Sequence, residues 1–321
     1  MRTMKIKIII ILLLLSLSAW SQVTETYTSG SGTWIVPAGV CVVTVKAWGG
    51  GGKGGSIFGG GGGGGGYCLQ DISVSSGDMI DWIVGVGGGT GSGSSSGSSS
   101  GGGGGGSVDG GVTMFGSVIA YGGAGGGDGN GSSGSGSAGA GGIGCNDNGD
   151  DGIGSGSGND PAGGNGGGLE GGIGGTYGGA GSSPGGGGAG DITNGEGGLG
   201  ANGKIVFSYY LPIYNFTKNL YYCNLTDAVG AASDHDEIHI PSGIYVQPCI
   251  VINKSIKYKA IGGAVVIECI EMNGSAKSMT LKSDFTFNTL ILTFGNIYTN
   301  GFNLKCGTTI GKSAVSYVIT D

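Results

Sequence analysis

The sequence predicts an all-β chain in which strands frame a bundle of glycine-rich polyproline II runs and a short coiled parallel sheet follows. Three observations predict it. Glycine supplies 83 of 321 residues, against a usual share of about 7%. The glycine tract is interrupted by apolar, β-branched segments of strand length. Residues 211–321 return to ordinary composition as short strands punctuated by Gly, Asn and Ser.

The chain opens with Arg2, Lys5 and Lys7, then the apolar run 8–17, then Ala19-Trp20-Ser21. A charged segment, a short apolar segment and a small-x-small site make a signal peptide over 1–21, with cleavage expected after Ser21. The apolar run is far shorter than the roughly 20 residues a membrane-spanning helix needs. No cysteine closely follows Ser21 and no later stretch is apolar enough to span a bilayer. A secreted or cell-surface location without a transmembrane segment is therefore expected, with a glycine-rich domain over 22–210 and a third region over 211–321.

Charged residues are 11% of the chain, where about 25% is typical, so catalytic machinery has little material. The net charge is −7. Without a Lys/Arg cluster to displace counterions from phosphates, nucleic acid is not an expected partner.

Seven cysteines lie in this exported chain, where disulfides can persist. None forms a Cys-x-x-Cys pair, so zinc and thioredoxin-type sites lack support. The odd count leaves at least one thiol free or intermolecular, and Cys145, alone in the glycine tract, is the candidate. Burial of most of them as small apolar residues stays open.

Strands are predicted over 40–48, 67–74, 79–86, 112–115, 118–121 and 204–210. The Pro37-Ala38-Gly39 step marks a turn. A flexible linker has no use for such apolar islands, whereas a folded module needs them to bury a sheet face. Ordering the backbone costs roughly 1–2 kcal/mol per residue and most for glycine, so lateral backbone pairing must offset it. Strict Gly-X-Y periodicity is absent and prolines number six, which excludes a collagen triple helix. Within the tract, 91–107 is nearly all Gly and Ser and reads as a mobile loop. Residues 122–203 carry the spaced apolar residues Ile143, Ile153, Leu169, Ile173, Tyr177 and Leu199, expected to anchor an ordered bundle.

The succession Gly32-Thr33-Trp34-Ile35-Val36-Pro37-Ala38-Gly39, then Val43-Thr44-Val45-Lys46-Ala47-Trp48-Gly49, then Gly77-Asp78-Met79-Ile80-Asp81-Trp82-Ile83-Val84-Gly85, and finally Asn202-Gly203-Lys204-Ile205-Val206-Phe207, resembles the glycine-rich domain of phage tail-fibre adhesins and secreted bacterial surface proteins. The resemblance covers about 26–210 and implies a polyproline II bundle whose exposed loops contact a receptor.

In the third region, 224–233 reads as a short amphipathic helix with Leu225, Val229 and Ala232 on one face. Strands are expected over 237–240, 249–252, 255–259, 265–270, 278–281, 289–293, 296–299 and 303–306. The segments Leu225-Thr226-Asp227-Ala228-Val229, Asp236-Glu237-Ile238-His239-Ile240-Pro241-Ser242-Gly243 and Ile250-Val251-Ile252-Asn253 look like the opening of a right-handed parallel β-helix of the pectin-lyase-like kind. That resemblance implies a capping helix and coils of about 20 to 25 residues. It would bring Cys249 and Cys269 near each other on neighbouring coils, and Cys41 and Cys68 join them as candidate disulfide cysteines. Terminal repeats of such proteins continue past a segment like Ser316-Tyr317-Val318, which leaves a truncated solenoid open.

Chemical motifs are sparse. Gly-x-Gly-x-x-Gly matches recur by chance in so glycine-rich a chain and lack a strand-then-helix context. His235 and His239 approach a predicted strand in which Ile238 and Ile240 point inward, so both histidines read as solvated surface. Asp147, Asp150 and Asp151 offer oxygen ligands of the kind calcium prefers, without the spacing of a calcium loop. They are calcium candidates, and no other cofactor is expected. Asp236, Glu237, Glu268 and Glu271 are isolated in sequence and match no catalytic pattern. The leading expectation is a structural or adhesive surface protein, not an enzyme, with a cell-surface receptor or glycan as partner. A fragment of a carbohydrate-active β-helix protein and an ice-binding protein are the alternatives.

Overall fold

Alternating apolar residues in 42–48 and 204–210 leave each segment one face to bury, and the chain answers by stacking two sheets. The computed structural model describes residues 22–89, 108–129, 136–155, 161–192, 195–311 and 316–320. The proposed signal peptide and the Gly/Ser loop 91–107 lie outside them. Two compact units are present, one formed by Thr24–Val36 and Val42–Tyr209, the other including Pro37–Cys41 and Tyr210–Asp321. Among the described residues no helix is long and apolar enough to cross a membrane.

In the glycine-rich unit, strands β1 (Gln22–Tyr27), β3 (Val42–Trp48), β4 (Tyr67–Ser73) and β8 (Lys204–Tyr210) form one sheet in the order β1-β8-β3-β4. Strands β2 (Ser31–Ile35), β5 (Met79–Ile83), β6 (Thr113–Phe115) and β7 (Val118–Ala120) form the other, in the order β2-β5-β6-β7. Phe207 of the first sheet meets Phe115 and Trp34 of the second, with ring centroids 4.6 and 5.0 Å apart. Burying such rings on one another supplies much of the stability of a small sandwich.

The glycine runs are ordered without being strands. The amides of Gly60, Gly63 and Gly66 donate to the carbonyls of Gly127, Ala124 and Tyr121. Those of Gly61, Gly64 and Tyr67 donate to Ile153, Asp150 and Asp147, and those of Gly62 and Gly65 to Gly188 and Gly185, all at 2.7–2.9 Å. The carbonyls follow the same step: 60, 63 and 66 accept from Gly55, Gly52 and Gly49, 61 and 64 from Gly139 and Gly142, 62 and 65 from Gly164 and Gly167. Every third residue thus turns to the same neighbour, and the 60–66 run is bonded to three accepting and three donating runs. Such close approach leaves no room for side chains: a Cβ on Gly61 would overlap the carbonyl oxygen of Ala162, and one on Gly64 that of Asn165. This explains the unbroken glycines of 59–66.

The six residues expected to anchor this region do the reverse. Ile143, Ile153, Leu169, Ile173, Tyr177 and Leu199 are all exposed, Ile173 at 72% and Tyr177 at 78%. Backbone pairing orders the tract and expels its side chains, so the apolar spacing marks the outside.

The second unit is a solenoid of about four turns. Its sheet runs β10 (Leu220–Tyr222), β9 (Ile213–Asn215), β11 (Glu237–Tyr245), β13 (Ile256–Leu281), β14 (Phe285–Tyr298), β15 (Leu304–Gly311), with β12 (Ile250–Ile252) on β13 and β16 (Ser316–Ile319) on β14. From β11 onward every pairing is parallel. Glu237 lies opposite Lys257, Val265 opposite Phe285 and Phe285 opposite Leu304, so successive coils are offset by 20, 20 and 19 residues. The separately expected strands of 255–281 and 289–299 run together as β13 and β14, because pairing continues round the coil corners.

Helix α1 (Leu225–Ala231) is capped by Asn224, whose side-chain oxygen accepts from the Asp227 amide at 2.8 Å. Leu225, Val229 and Ala232 are buried, with Ile238, Ile240, Ile252, Tyr258, Phe285 and Phe287 in the same core.

Candidate functional site

The cysteines resolve into three pairs: Cys41–Cys223, Cys68–Cys145 and Cys249–Cys269. Cys145 is therefore not the free thiol. It reaches β4 because the Tyr67 carbonyl and amide pair with the 146–147 segment beside it. The free cysteine is Cys306 on β15, exposed, with burial of its sulfur pushing its pKa up and the nearby Thr309 pulling the other way.

The calcium candidates have structural partners in the lattice. Asp147 accepts from the Gly168 amide at 2.8 Å, Asp151 from the Gly141 amide at 2.7 Å, and Asp150 from the Asn165 side-chain amide at 2.9 Å. The same device recurs at Asp109 with Gly125, Asp128 with Ser56, and Asn202 with Gly87. At these backbone amides a short polar side chain supplies the accepting oxygen in place of a carbonyl. Sequence reasoning missed this role, although Asp and Asn recurring singly among glycines were its signal. No group of three or more His, Cys, Asp or Glu among the described residues converges as for a metal ion.

The acidic residues of the solenoid also have partners. Asp236 is buried; its Oδ2 accepts from the Asn215 side chain at 2.9 Å and the Ser233 amide at 2.8 Å, with Lys218 Nζ at 3.5 Å. Burial alone would push its carboxyl up, but these donors outweigh burial and hold it below the ordinary carboxylate range. Glu237 behaves alike: burial raises it, and Lys282 at 2.7 Å and His239 at 2.8 Å bring it down overall. Glu268 accepts from Asn288 and Glu271 from Thr293, each at 2.7 Å. These four acids do not share a site.

Of the two histidines expected on solvated surface, one is there and the other is not. His235 is exposed, at φ 72°. His239 is half-buried, stacked on Phe216 with ring centroids 5.0 Å apart and bonded to Glu237. It belongs to one register row across four strands: Tyr221 lies opposite Tyr214, Tyr214 opposite His239, and His239 opposite Lys259.

The other chemically distinctive surface is that of the glycine lattice, a rigid backbone core displaying single apolar side chains. No protein-family model matches the chain, and no curated protein matches it. What the fold defines is an all-β protein joining a glycine-rich unit to a short parallel solenoid.

Proposed function

We propose that this is an exported structural or adhesive protein whose contacts are made by side chains and loops displayed on the glycine-rich unit. The observation that carries this reading is the threefold hydrogen-bond step around 60–66. Three residues per turn without internal hydrogen bonds is the geometry of polyproline II, so the runs are read as a laterally bonded bundle of such helices. A core of this kind resists deformation and leaves its large apolar side chains outside. Leu169, Ile173 and Tyr177 are among the most exposed apolar groups of the chain, and their display supports a contact role. The sequence resemblance to the glycine-rich domain of tail-fibre adhesins points the same way, as do the leader and the paired cysteines to an oxidising compartment.

The test is binding of the purified mature chain to whole bacterial cells and to a glycan array, compared with a Leu169→Ser, Ile173→Ser, Tyr177→Ser triple variant. Surface binding that falls at least tenfold in the folded variant is expected. Absence of binding, or equal binding by the variant, would overturn the reading.

A further inference from the structure

One groove of the solenoid is created by unequal turns. Six residues, 259–264, join Tyr258 to Val265, whereas Lys282, whose amide bonds the Tyr258 carbonyl, and Phe285, the partner of Val265, are joined by two, 283–284. On the following coil five residues, 299–303, join Tyr298 to Leu304, against four, 281–284, between their partners Thr280 and Phe285. A short turn between two longer ones leaves a recess. The groove encloses about 590 Å³, within the range that holds a small ligand.

Its lining has a mixed character. The projecting turn contributes Gly263 and Ala264, the short turn Ser283 and Asp284, and the next coil Phe302 and Asn303, with Lys305 on the wall. Asp284 is fixed in place: its Oδ1 accepts from the Asn303 amide at 2.8 Å and its Oδ2 from the Asn303 side chain at 3.2 Å. Those bonds hold its carboxyl below the ordinary range, so it is an anionic acceptor at neutral pH. Each carboxylate oxygen keeps acceptor capacity beyond those bonds. Phe302 is 40% exposed and offers an apolar surface at the rim.

We infer that this groove is a binding site for a neutral oligosaccharide. A sugar presents an apolar C–H face beside rows of hydroxyl groups, which donate and accept. Phe302 suits the former; Asp284 and Asn303 accept from hydroxyls, while Lys305 donates to them. The Asp284 and Lys305 charges cancel, so the lining gives no net preference for a charged ligand. This site is separate from the surface proposed for adhesion, and either stands if the other fails.

The experiment is native affinity electrophoresis of the mature chain in gels containing xyloglucan, mixed-linkage β-glucan or galactomannan, with polygalacturonate as the charged comparison. Retardation by at least one neutral polymer is expected. In Phe302→Ala and in Ala264→Trp, which adds bulk at a lining residue and leaves the polar residues themselves unchanged, the apparent Kd should rise at least tenfold, while Lys257→Ala, outside the groove, leaves it unchanged. Circular dichroism matching the parent confirms that the variants fold. No retardation by any neutral polymer, retardation by polygalacturonate alone, or binding that survives both groove variants would each overturn the assignment.

Discussion

The carbonyl oxygen of Ala162 occupies the space into which a Cβ on Gly61 would project. Gly61 also donates its amide to Ile153 and accepts from Gly139, so it cannot move aside without breaking bonds to other runs. Gly61→Ala is therefore expected to destabilise the glycine-rich unit by several kcal/mol, in the upper part of the range of about 0.5–3 kcal/mol or above it that point substitutions span. Gly230→Ala provides the opposite sign. That glycine lies within α1 with nothing near its absent side chain, and alanine there should stabilise the solenoid by up to about 1 kcal/mol. Thermal unfolding of both variants by calorimetry checks the pair; equal effects would remove the case for a close-packed backbone lattice.

The exposed apolar residues give the complementary prediction. Replacing Ile143, Ile173 or Tyr177 by Ser should change stability by less than about 0.5 kcal/mol, the usual span for surface positions. Had they been anchors, as their spacing in the sequence suggested, each would cost about 2 kcal/mol or more. Denaturant titration separates the two outcomes.

These positions show how far the sequence could be read. Strand segments were legible because Val43, Val45 and Ala47, or Ile205 and Phe207, alternate with half-exposed residues, a pattern that follows directly from one buried face. The coiled parallel sheet was legible from short strands punctuated by Gly, Asn and Ser, and the helix from the Leu225/Val229/Ala232 face, while its place as a cap followed from the resemblance. The glycine tract was not, because sequence reasoning treats an apolar residue among polar ones as buried. In a lattice without side chains that rule reverses, and the interior is marked by unbroken glycine at 59–66. Strands β9 and β10 escaped notice because Ile213–Asn215 buries a single apolar residue and Leu220–Tyr222 none, which leaves no alternation to read. The partners Asn215 for Asp236 and Lys282 for Glu237 lie 21 and 45 residues away, fixed only by the coiling.

The cysteine pairing predicts one titratable thiol per native chain, and none after Cys306→Ser, a change expected to leave stability within about 0.5 kcal/mol of the parent. Cys249–Cys269 closes a loop of sequence separation 20 between neighbouring coils, beside the Ile250–Ile270 register pair. Replacing both by Ala should cost about 3 kcal/mol on the chain-entropy model. Thiol counting with and without denaturant, together with urea unfolding of the double variant, checks both statements. A second reactive thiol in the native chain would show that the pairing is wrong.

Asp236 sets an acid limit on the solenoid. Its folded pKa lies below the unfolded value of about 3.9, so the unfolded chain binds its proton first as pH falls. The stability it contributes is full above the unfolded pKa and is lost as pH drops through the folded one. Asp236→Asn keeps the shape and removes the titration, so the variant should be less stable than the parent near pH 7 and approach it below about pH 3. Asp236→Ala goes further, because it leaves the buried Asn215 amide without its acceptor, at a cost of about 1–3 kcal/mol that persists at every pH. Urea unfolding of the three proteins between pH 2.5 and 7 distinguishes these behaviours. If parent and Asp236→Asn curves stayed parallel across that range, the buried carboxylate would not be what the acid limb reports.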